Sequence, residues 1–314
     1  MTGPCYSVAL RSVRDNALLR RTLASLAQQS VLPREIVIVI PLDVAPWPVE
    51  WDCVRFVQAP RGMVTQRAAG IRSVRHRLTL LMDDDIVLSH DAAQRLLRAL
   101  VEQQADCVVP YWREGWGGSR TARLLNAFWG IAVPRNAGGI EYLPGGGYYY
   151  PLTEPPLKGW PTLGGAGALI GVNRDFALAA GATGDTGLQA ISPYALHDDG
   201  ALILSWHQGG GTCLMIPGIK FEHLGGTTRL APDRFYMAYQ SLAYNHWYFW
   251  RAYLKPDFSR DPLGVVWARF SLCHYLTGIA CYALLISLRS RTMQPIRGFV
   301  SGLLYCLGLR SVAP

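Results

Sequence analysis

Short apolar runs alternate with helical patterns over the first third of this 314-residue chain, and this alternation limits the fold more than any other feature. Between the runs, leucines recur at helical spacing behind the capping residues Asn16 and Ser89. Strands that alternate with helices predict an α/β domain with a mostly parallel sheet and helices on both faces. The apolar runs, each 3 to 6 residues long, are Tyr6–Leu10, Glu35–Ile40, Arg55–Val57, Leu78–Met82 and Cys107–Tyr111.

Composition narrows the partners and the compartment. Charged residues make up 17% of the chain, against roughly a quarter in soluble domains, and the formal charge of +8 favours anionic partners. The basic residues are dispersed, which disfavours nucleic acid. Seven scattered cysteines without a Cys-x-x-Cys pair favour a reducing compartment. The first apolar run is too short for a signal peptide, so we expect the catalytic body in the cytoplasm.

The sharpest local signal is the row Asp83-Asp84-Asp85, which follows the apolar run Leu78–Met82. Ligands bind at the carboxyl ends of strands in open parallel sheets. Adjacent carboxylates repel one another unless a cation or hydrogen-bond donors neutralise them, and Mg²⁺ or Mn²⁺ accepts carboxylate oxygens. Alternation along an extended chain puts Asp83 and Asp85 on one side and Asp84 on the other. The row predicts a metal site, and a solvated turn is the alternative.

The stretch from Arg61 to Asp85 carries a family resemblance. It reads Arg-Gly-Met-Val-Thr-Gln-Arg-Ala-Ala-Gly-Ile-Arg and, six residues later, Thr-Leu-Leu-Met-Asp-Asp-Asp, and it resembles the donor-binding stretch of family 2 glycosyltransferases. The resemblance covers roughly residues 6 to 230. It implies a GT-A type, Rossmann-like fold, an inverting mechanism, a UDP-, GDP- or dTDP-linked sugar donor and a Mn²⁺ or Mg²⁺ cofactor. The donor-binding residues that it implies are Ser12, Arg14, Asp43, Arg67, Asp83, Asp84 and Arg229.

Two later segments resemble the family's metal-binding and acceptor-binding parts. Ile219–Arg229 is similar to its late His-x-Gly segment, which implies that His223 binds the metal together with Asp85. Gly164–Phe176 is similar to its glycine-rich acceptor segment. Glycine lets a backbone approach a substrate closely, and a tight packing corner is the alternative. The acceptor-binding residues predicted on this side are Trp160, Gly164, Gly165 and Trp206.

The motif His197-Asp-Asp-Gly resembles the Glu-Asp motif with which a helix opens in the same family. A carboxylate there would remove the proton from the acceptor hydroxyl during inverting transfer. Asp199 is the first choice for this base, and Asp198 is the second. A helix N-terminus lowers the pKa of a carboxyl group, so we expect this base to be ionised at neutral pH. A plain helix cap is the alternative for Asp198.

Three functions remain open at this point. A processive synthase would carry a Gln-x-x-Arg-Trp motif, and its absence favours transfer of one sugar per visit to a lipid-linked or cell-surface glycan precursor. A nucleotidyltransferase also uses carboxylates and Mg²⁺, but it would want a glycine-rich phosphate loop, and Leu10–Asn16 has no glycine. A non-catalytic membrane scaffold that kept the fold is the third possibility.

The C-terminal part, residues 231–314, predicts membrane-associated helices. Phe270–Leu288 runs nineteen residues without a charge, which is long enough in principle to cross a bilayer. A single crossing would put the following arginines on the far side from a cytoplasmic body, against the positive-inside tendency. We therefore expect helices that lie on anionic lipid at the cytoplasmic face, with an aromatic-rich helix over 233–255 either at the interface or buried. A homo-oligomer interface is the alternative. Residues 1–112 and 113–230 are the expected donor and acceptor halves.

Overall fold

The computed structural model describes residues 4–113, 119–181, 183–225, 234–255 and 262–310. The strands are β1 Tyr6–Arg11, β2 Glu35–Pro41, β3 Val54–Ala59, β4 Leu78–Asp83, β5 Ile86–Leu88, β6 Cys107–Pro110, β7 Ala132–Arg135, β8 Glu141–Tyr142, β9 Tyr148–Pro151, β10 Trp160–Pro161, β11 Leu169–Asn173, β12 Cys213–Ile216 and β13 Phe221–His223. The helices are α1 Ala17–Ala27, α2 Met63–Ser73, α3 Ala92–Glu102, α4 Arg120–Phe128, α5 Arg174–Ala179, α6 Asp198–Gln208, α7 Phe235–Phe249, α8 Pro262–Ser290 and α9 Gln294–Cys306.

An eight-stranded sheet forms the centre of the protein, in the order β10-β12-β6-β11-β4-β1-β2-β3. β1 pairs in parallel with β2 and β4, β2 with β3, and β6 with β12, while β11 runs antiparallel between β4 and β6. The five predicted strands are β1, β2, β3, β4 and β6. The prediction of a mostly parallel α/β sheet is therefore confirmed. β11 is the element that separates β4 from the next parallel strand.

Both faces of the sheet are buried at β2. All seven residues of β2 are buried, and their side chains alternate between two cores because a strand has a period of two. Ile36, Ile38 and Ile40 pack with α1 and α3, whereas Val37 and Val39 pack with α2 and α6. Burial on both faces is the reason that the strand is a continuous apolar run.

The N-terminal cap of α1 is the predicted residue, whereas the cap of α3 is a different residue from the predicted one. The side chain of Asn16 accepts hydrogen bonds from the backbone N–H groups of Leu18 and Leu19 at the start of α1. At α3 the cap is Asp91, and Ser89 lies two residues before it and donates to the Asp91 carboxylate. The difference arises because the chain makes one more turn after β5 before the helix begins.

The aromatic helix α7 is buried against the rest of the protein. Tyr244, His246 and Phe249 are buried, and α9 crosses the helix closely. A Cβ atom on Gly298 or Gly302 would lie 2.2 or 2.4 Å from a backbone oxygen of α7, so these glycines allow the two helices to touch. Of the two alternatives left open by the sequence, the structure therefore shows the buried helix.

The following helix, α8, is 29 residues long and has an exposed apolar side. Within the described residues it is the one helix that is long and apolar enough to cross a membrane, and 33% of its most apolar window is buried. Length and composition alone are weak evidence for a crossing. The exposed residues of α8 include Leu263, Val266, Trp267, Phe270, Leu284, Leu285 and Leu288.

Candidate active site

The aspartate row lies at the carboxyl end of β4, in the middle of the sheet. Asp83 is the last residue of this strand and stands opposite Arg11, the last residue of β1. Arg11 Nε lies 2.8 Å from Asp83 Oδ1. Burial alone would raise the pKa of Asp83, but the positive charges of Arg11 and Arg67 lower it below its ordinary value. Asp83 is therefore ionised at neutral pH.

A group of potential metal ligands forms where β13 pairs with β5. This antiparallel pairing puts His223 opposite Ile86 and so next to Asp85. One ligand atom from each of Asp83, Asp85 and His223 lies within 4.8 Å of the others. Asp85 Oδ1 lies 3.3 Å from His223 Nε2, and the other ring nitrogen, His223 Nδ1, is buried without a hydrogen bond within the described part of the chain. Two carboxylates and an imidazole in one cluster offer the oxygen and nitrogen ligands that fit a divalent cation.

Asp84 points to the other side of the chain, as strand alternation predicts. Its carboxylate accepts a hydrogen bond from Ser12 Oγ, and its backbone oxygen accepts one from Thr22 Oγ1. Burial raises the pKa of Asp84. Arg14 and Asp43 are exposed beyond the ends of β1 and β2, and Asp43 forms a 2.8 Å ion pair with Arg61. Arg229 lies outside the described residues.

Asp198 joins the two halves of the site. Its Oδ2 atom lies 3.1 Å from Arg11 Nη1 and 2.8 Å from Arg67 Nη1. Because Arg11 also pairs with Asp83, one guanidinium connects the aspartate row to the start of α6. Arg67, predicted on the donor side, is 7% exposed and also donates from Nη2 to the Gly167 oxygen at 3.1 Å. Two ion pairs occupy Asp198, which makes it an unsuitable base.

Asp199 faces the cavity and has a different environment. Its Oδ2 accepts from the Gly167 N–H at 3.0 Å, and its Oδ1 accepts from the Gly200 N–H at 2.8 Å. A Cβ atom on Gly167 would lie 2.4 Å from the Asp199 Cβ, so a glycine is needed there. Burial and the neighbouring Asp198 raise the pKa of Asp199. The expectation of a lowered pKa was wrong, because burial and a like charge outweigh the helix N-terminus here.

One cavity of about 410 Å³ contains both carboxylate motifs. Asp83 and His223 line it together with Asp198 and Asp199. Asp85 lies behind the wall residue His223, with 3.3 Å between Asp85 Oδ1 and His223 Nε2. The walls of the cavity also include residues to which the sequence analysis gave no role: Arg11, Trp112, Tyr142, Tyr148 and His197. For Arg11 a signal existed, since it ends a strand next to the one that carries Asp83.

The wall residue His197 is held by a second histidine. His197 caps α6 in the left-handed conformation, with φ of 65°. Its Nε2 lies 3.2 Å from Nδ1 of His246 in α7, and His246 Nε2 lies 2.8 Å from the Gly145 oxygen. A carbonyl oxygen can only accept a hydrogen bond, so His246 Nε2 carries the proton and donates it to Gly145. In the neutral ring Nδ1 then has no proton, and it accepts a hydrogen bond from His197. Burial lowers the pKa of His197 to about 4, so both rings serve as neutral hydrogen-bonding groups.

The predicted acceptor residues have different environments. Trp206 is fully buried in the core between α6 and the sheet, so its assignment to the acceptor site was wrong. Helical period explains the error, because position 206 faces the sheet. Trp160 lies in the edge strand β10 opposite Met215. Gly165 lines the cavity, whereas Gly164 packs against Ile140 and the Tyr142 hydroxyl.

Comparison with known proteins defines the class of the protein as a transferase with the GT-A fold. The family model of the MobA-like NTP transferase domain matches residues 8–199, and the chain belongs to this family. No curated protein matches the sequence significantly. Residues 8–199 include the aspartate row and reach Asp199, so the family match spans both carboxylate motifs.

Solved glycosyltransferase structures share the fold at low sequence identity. The mannosyltransferase PcManGT from Pyrobaculum calidifontis, in complex with GDP-Man and Mn²⁺, is 15% identical with a TM-score of 0.52, covering 98% of this chain and 88% of its own. GalNAc-T7, in a crystal structure with UDP, GalNAc and Mn²⁺, is 14% identical with a TM-score of 0.51. That alignment covers 92% of this chain, which spans 59% of GalNAc-T7.

Proposed function

We propose that the protein is an inverting, family 2-like glycosyltransferase that moves one sugar from a nucleotide-sugar donor to a hydroxyl group of a lipid-linked or cell-surface glycan precursor. One observation carries the proposal: potential ligands of a divalent cation and a hydrogen-bonded, ionisable carboxylate, Asp199, border the same cavity. The two similar structures contain UDP or GDP-Man together with Mn²⁺, which supports a nucleotide-sugar donor and a Mn²⁺ or Mg²⁺ cofactor here.

The residues divide the work of such a transfer. Asp83, Asp85 and His223 would hold the cation, which when bound neutralises the diphosphate leaving group. Arg11 and Arg67 keep Asp83 ionised and hold Asp198 in place. Asp199 accepts the proton of the acceptor hydroxyl, and its raised pKa makes it a stronger base than an ordinary aspartate. Its two backbone hydrogen bonds fix the orientation of the carboxylate.

Separate substitutions of Asp85 and Asp199 by Asn test these roles. We expect Asp85→Asn to weaken Mn²⁺-dependent binding of nucleoside diphosphates, because it removes one cation ligand. Asp199→Asn should leave that binding unchanged and lower kcat by about 10²- to 10⁴-fold, the usual contribution of a general base. Calorimetry and a sugar-transfer assay measure the two effects. Asp175→Asn, at an exposed position in α5, is the matched control. Full transfer by both variants would contradict the proposal.

Nucleotidyl transfer is the second candidate, because the family name describes NTP transferases. Such an enzyme would join a nucleoside triphosphate to a sugar phosphate and release pyrophosphate. The turn after β1, Ser12–Asn16, has no glycine to wrap a triphosphate, which favours sugar transfer. Pyrophosphate release from a triphosphate and a sugar 1-phosphate, without any use of a nucleotide sugar, would establish this second function instead.

We also propose that the protein binds the cytoplasmic face of an anionic membrane as a peripheral or monotopic protein. A continuous row of rings runs from Phe128 in α4 through His274 and Phe270 to Trp267 in α8, with centroids 5.6 to 6.5 Å apart. Tyr282 Oη donates to Asn126 Oδ1 at 2.9 Å and ties the two helices together. Both helices also contain arginines, and apolar rings together with basic residues suit a lipid interface.

Vesicle co-sedimentation tests this membrane site. We expect the wild-type protein to pellet with phosphatidylserine-containing vesicles, and the double variant Trp267→Asp/Phe270→Asp to remain in solution because charges oppose burial in lipid. Leu32→Asp is the control, since Leu32 is 57% exposed and Trp267 is 58% exposed. Equal pelleting of the double variant and the control would contradict the proposal. A wild-type dimer that becomes a monomer in the double variant would instead establish an oligomer interface.

A further inference from the structure

A second cavity, of about 610 Å³, adjoins the first across a single side chain, that of Trp112. The Trp112 ring lies 5.6 Å from the ring of the potential metal ligand His223 and 5.5 Å from the ring of Phe221. Trp112 belongs to the walls of both cavities. The volume of the second cavity is within the range of about 300 to 1,000 Å³ that small-molecule sites occupy. A ligand in the second cavity would therefore be one side chain away from the proposed site of transfer.

Strand order puts this cavity on the side opposite the predicted nucleotide edge. Its walls follow β6 and β12, whereas the predicted donor residues Ser12 and Asp43 follow β1 and β2. β4, which carries the aspartate row, lies between these two groups of strands. In an inverting transfer the acceptor attacks from the face opposite the leaving nucleotide. The second cavity is thus on the side from which an acceptor would enter.

The chemistry of the walls matches a carbohydrate. Tyr111, Trp112 and Phe221 provide aromatic rings, on which the C–H faces of a sugar can pack. Glu154 and Lys220 provide charged groups that can hydrogen-bond to hydroxyl groups. The Glu154 carboxylate also accepts from the Gly218 N–H at 2.8 Å and so joins the loops that follow β9 and β12. Aromatic surface with a few polar groups is the usual composition of a small-molecule site.

We propose that this second cavity binds the carbohydrate part of the acceptor, with Trp112 between the bound sugar and the reacting centre. The inference rests on the proposed sugar transfer, and it replaces the predicted acceptor residues Trp160 and Trp206 with the walls of the second cavity. A donor that reaches the metal ligands and an acceptor that lies beyond Trp112 would both border the cavity that Asp199 lines.

Binding of simple sugars without any donor tests the inference. The probes are the methyl glycosides of glucose, galactose, mannose and N-acetylglucosamine, measured by saturation-transfer NMR on the full chain. We expect at least one to bind, and Lys220→Met to weaken that binding about tenfold by removing a charged hydrogen-bond donor. Thr153→Trp should abolish it, because Thr153 lines only the second cavity and the larger side chain fills it.

Two controls separate the possible failures. Lys158→Met removes another exposed lysine, which lines neither cavity, and should leave sugar binding unchanged. Calorimetry with UDP or GDP and Mn²⁺ on the same samples tests the donor site independently. Nucleotide binding without binding of any of the four glycosides, or glycoside binding that survives both Lys220→Met and Thr153→Trp, overturns the inference alone. If the wild-type protein does not bind UDP or GDP with Mn²⁺, the proposed function is overturned instead.

Discussion

Two adjacent carboxylates, Asp198 and Asp199, have opposite environments. Asp198 forms ion pairs with Arg11 and Arg67. Among the described residues, the hydrogen bonds that the Asp199 carboxylate accepts come from the backbone N–H groups of Gly167 and Gly200. Consecutive residues at a helix N-terminus point in different directions, which is why neighbours can differ so much. One carboxylate holds the site together, and the other has a raised pKa and faces the cavity.

The pH dependence of transfer should report the ionisation of Asp199. A general base must be deprotonated, so kcat/KM should fall as the pH drops through the raised pKa of Asp199, above the ordinary 3.8. Asp198→Asn removes a like charge that raises this pKa, so the acid limb of the profile should move to lower pH. A pH series of kcat/KM for the variant, the wild type and Asp175→Asn measures the shift. An unchanged acid limb in Asp198→Asn would count against Asp199 as the base.

At the scale of elements, α7 supports the start of α6, the helix that carries the proposed base Asp199. His246 in α7 accepts a hydrogen bond from His197, which caps α6, and donates one to the Gly145 oxygen. The His246 ring also stacks on Tyr275 of α8, with centroids 3.5 Å apart. Burial and the adjacent His197 lower the pKa of His246 well below its ordinary value. The C-terminal helices therefore support the candidate active site in addition to forming the proposed membrane surface.

Two substitutions of His246 separate its two hydrogen bonds. Asn can place its amide near the Nδ1 position and accept from His197, whereas Gln reaches the Nε2 position and can donate to Gly145. Each leaves one buried group unpaired, so both should lower the free energy of unfolding by about 1–3 kcal/mol. We expect kcat to fall further in His246→Gln, because there His197 loses its acceptor. Chemical denaturation and transfer kinetics measure the two effects. Equal kcat values would show that His246 only stabilises the fold.

At the scale of the whole molecule, ligand binding should stabilise the native state. A ligand at about 100 times its Kd adds about 2.7 kcal/mol to the free energy of unfolding. We expect UDP, GDP or dTDP with Mn²⁺ to raise the Tm, and the same nucleotide with EDTA to raise it less. In Asp85→Asn the Mn²⁺-dependent part of the shift should disappear. Thermal-shift measurements on both proteins test this, and a shift that does not depend on Mn²⁺ in the wild type would argue against the metal site.

Local properties of the chain were sufficient to predict the sheet and its aspartate row. β2 is buried on both faces and therefore reads as an unbroken apolar run, Glu35–Ile40. Asp83–Asp85 follow a buried strand, and strand alternation alone separates Asp84 from its two neighbours. Asn16 could likewise be recognised as a cap from its position before the leucines of α1.

Contacts between distant segments required the tertiary structure. The register of β1 against β4 puts Arg11 beside Asp83, and the pairing of β13 with β5 puts His223 beside Asp85. Trp206 was misassigned because a single tryptophan on a helix reveals neither the face that packs on the sheet nor its depth. The sequence by itself determined five strands of the central sheet, the cap of α1 and the carboxylates at the strand end, since these depend on neighbours along the chain. Only the tertiary structure decided which charges meet and where the cavities lie, because these depend on packing between elements.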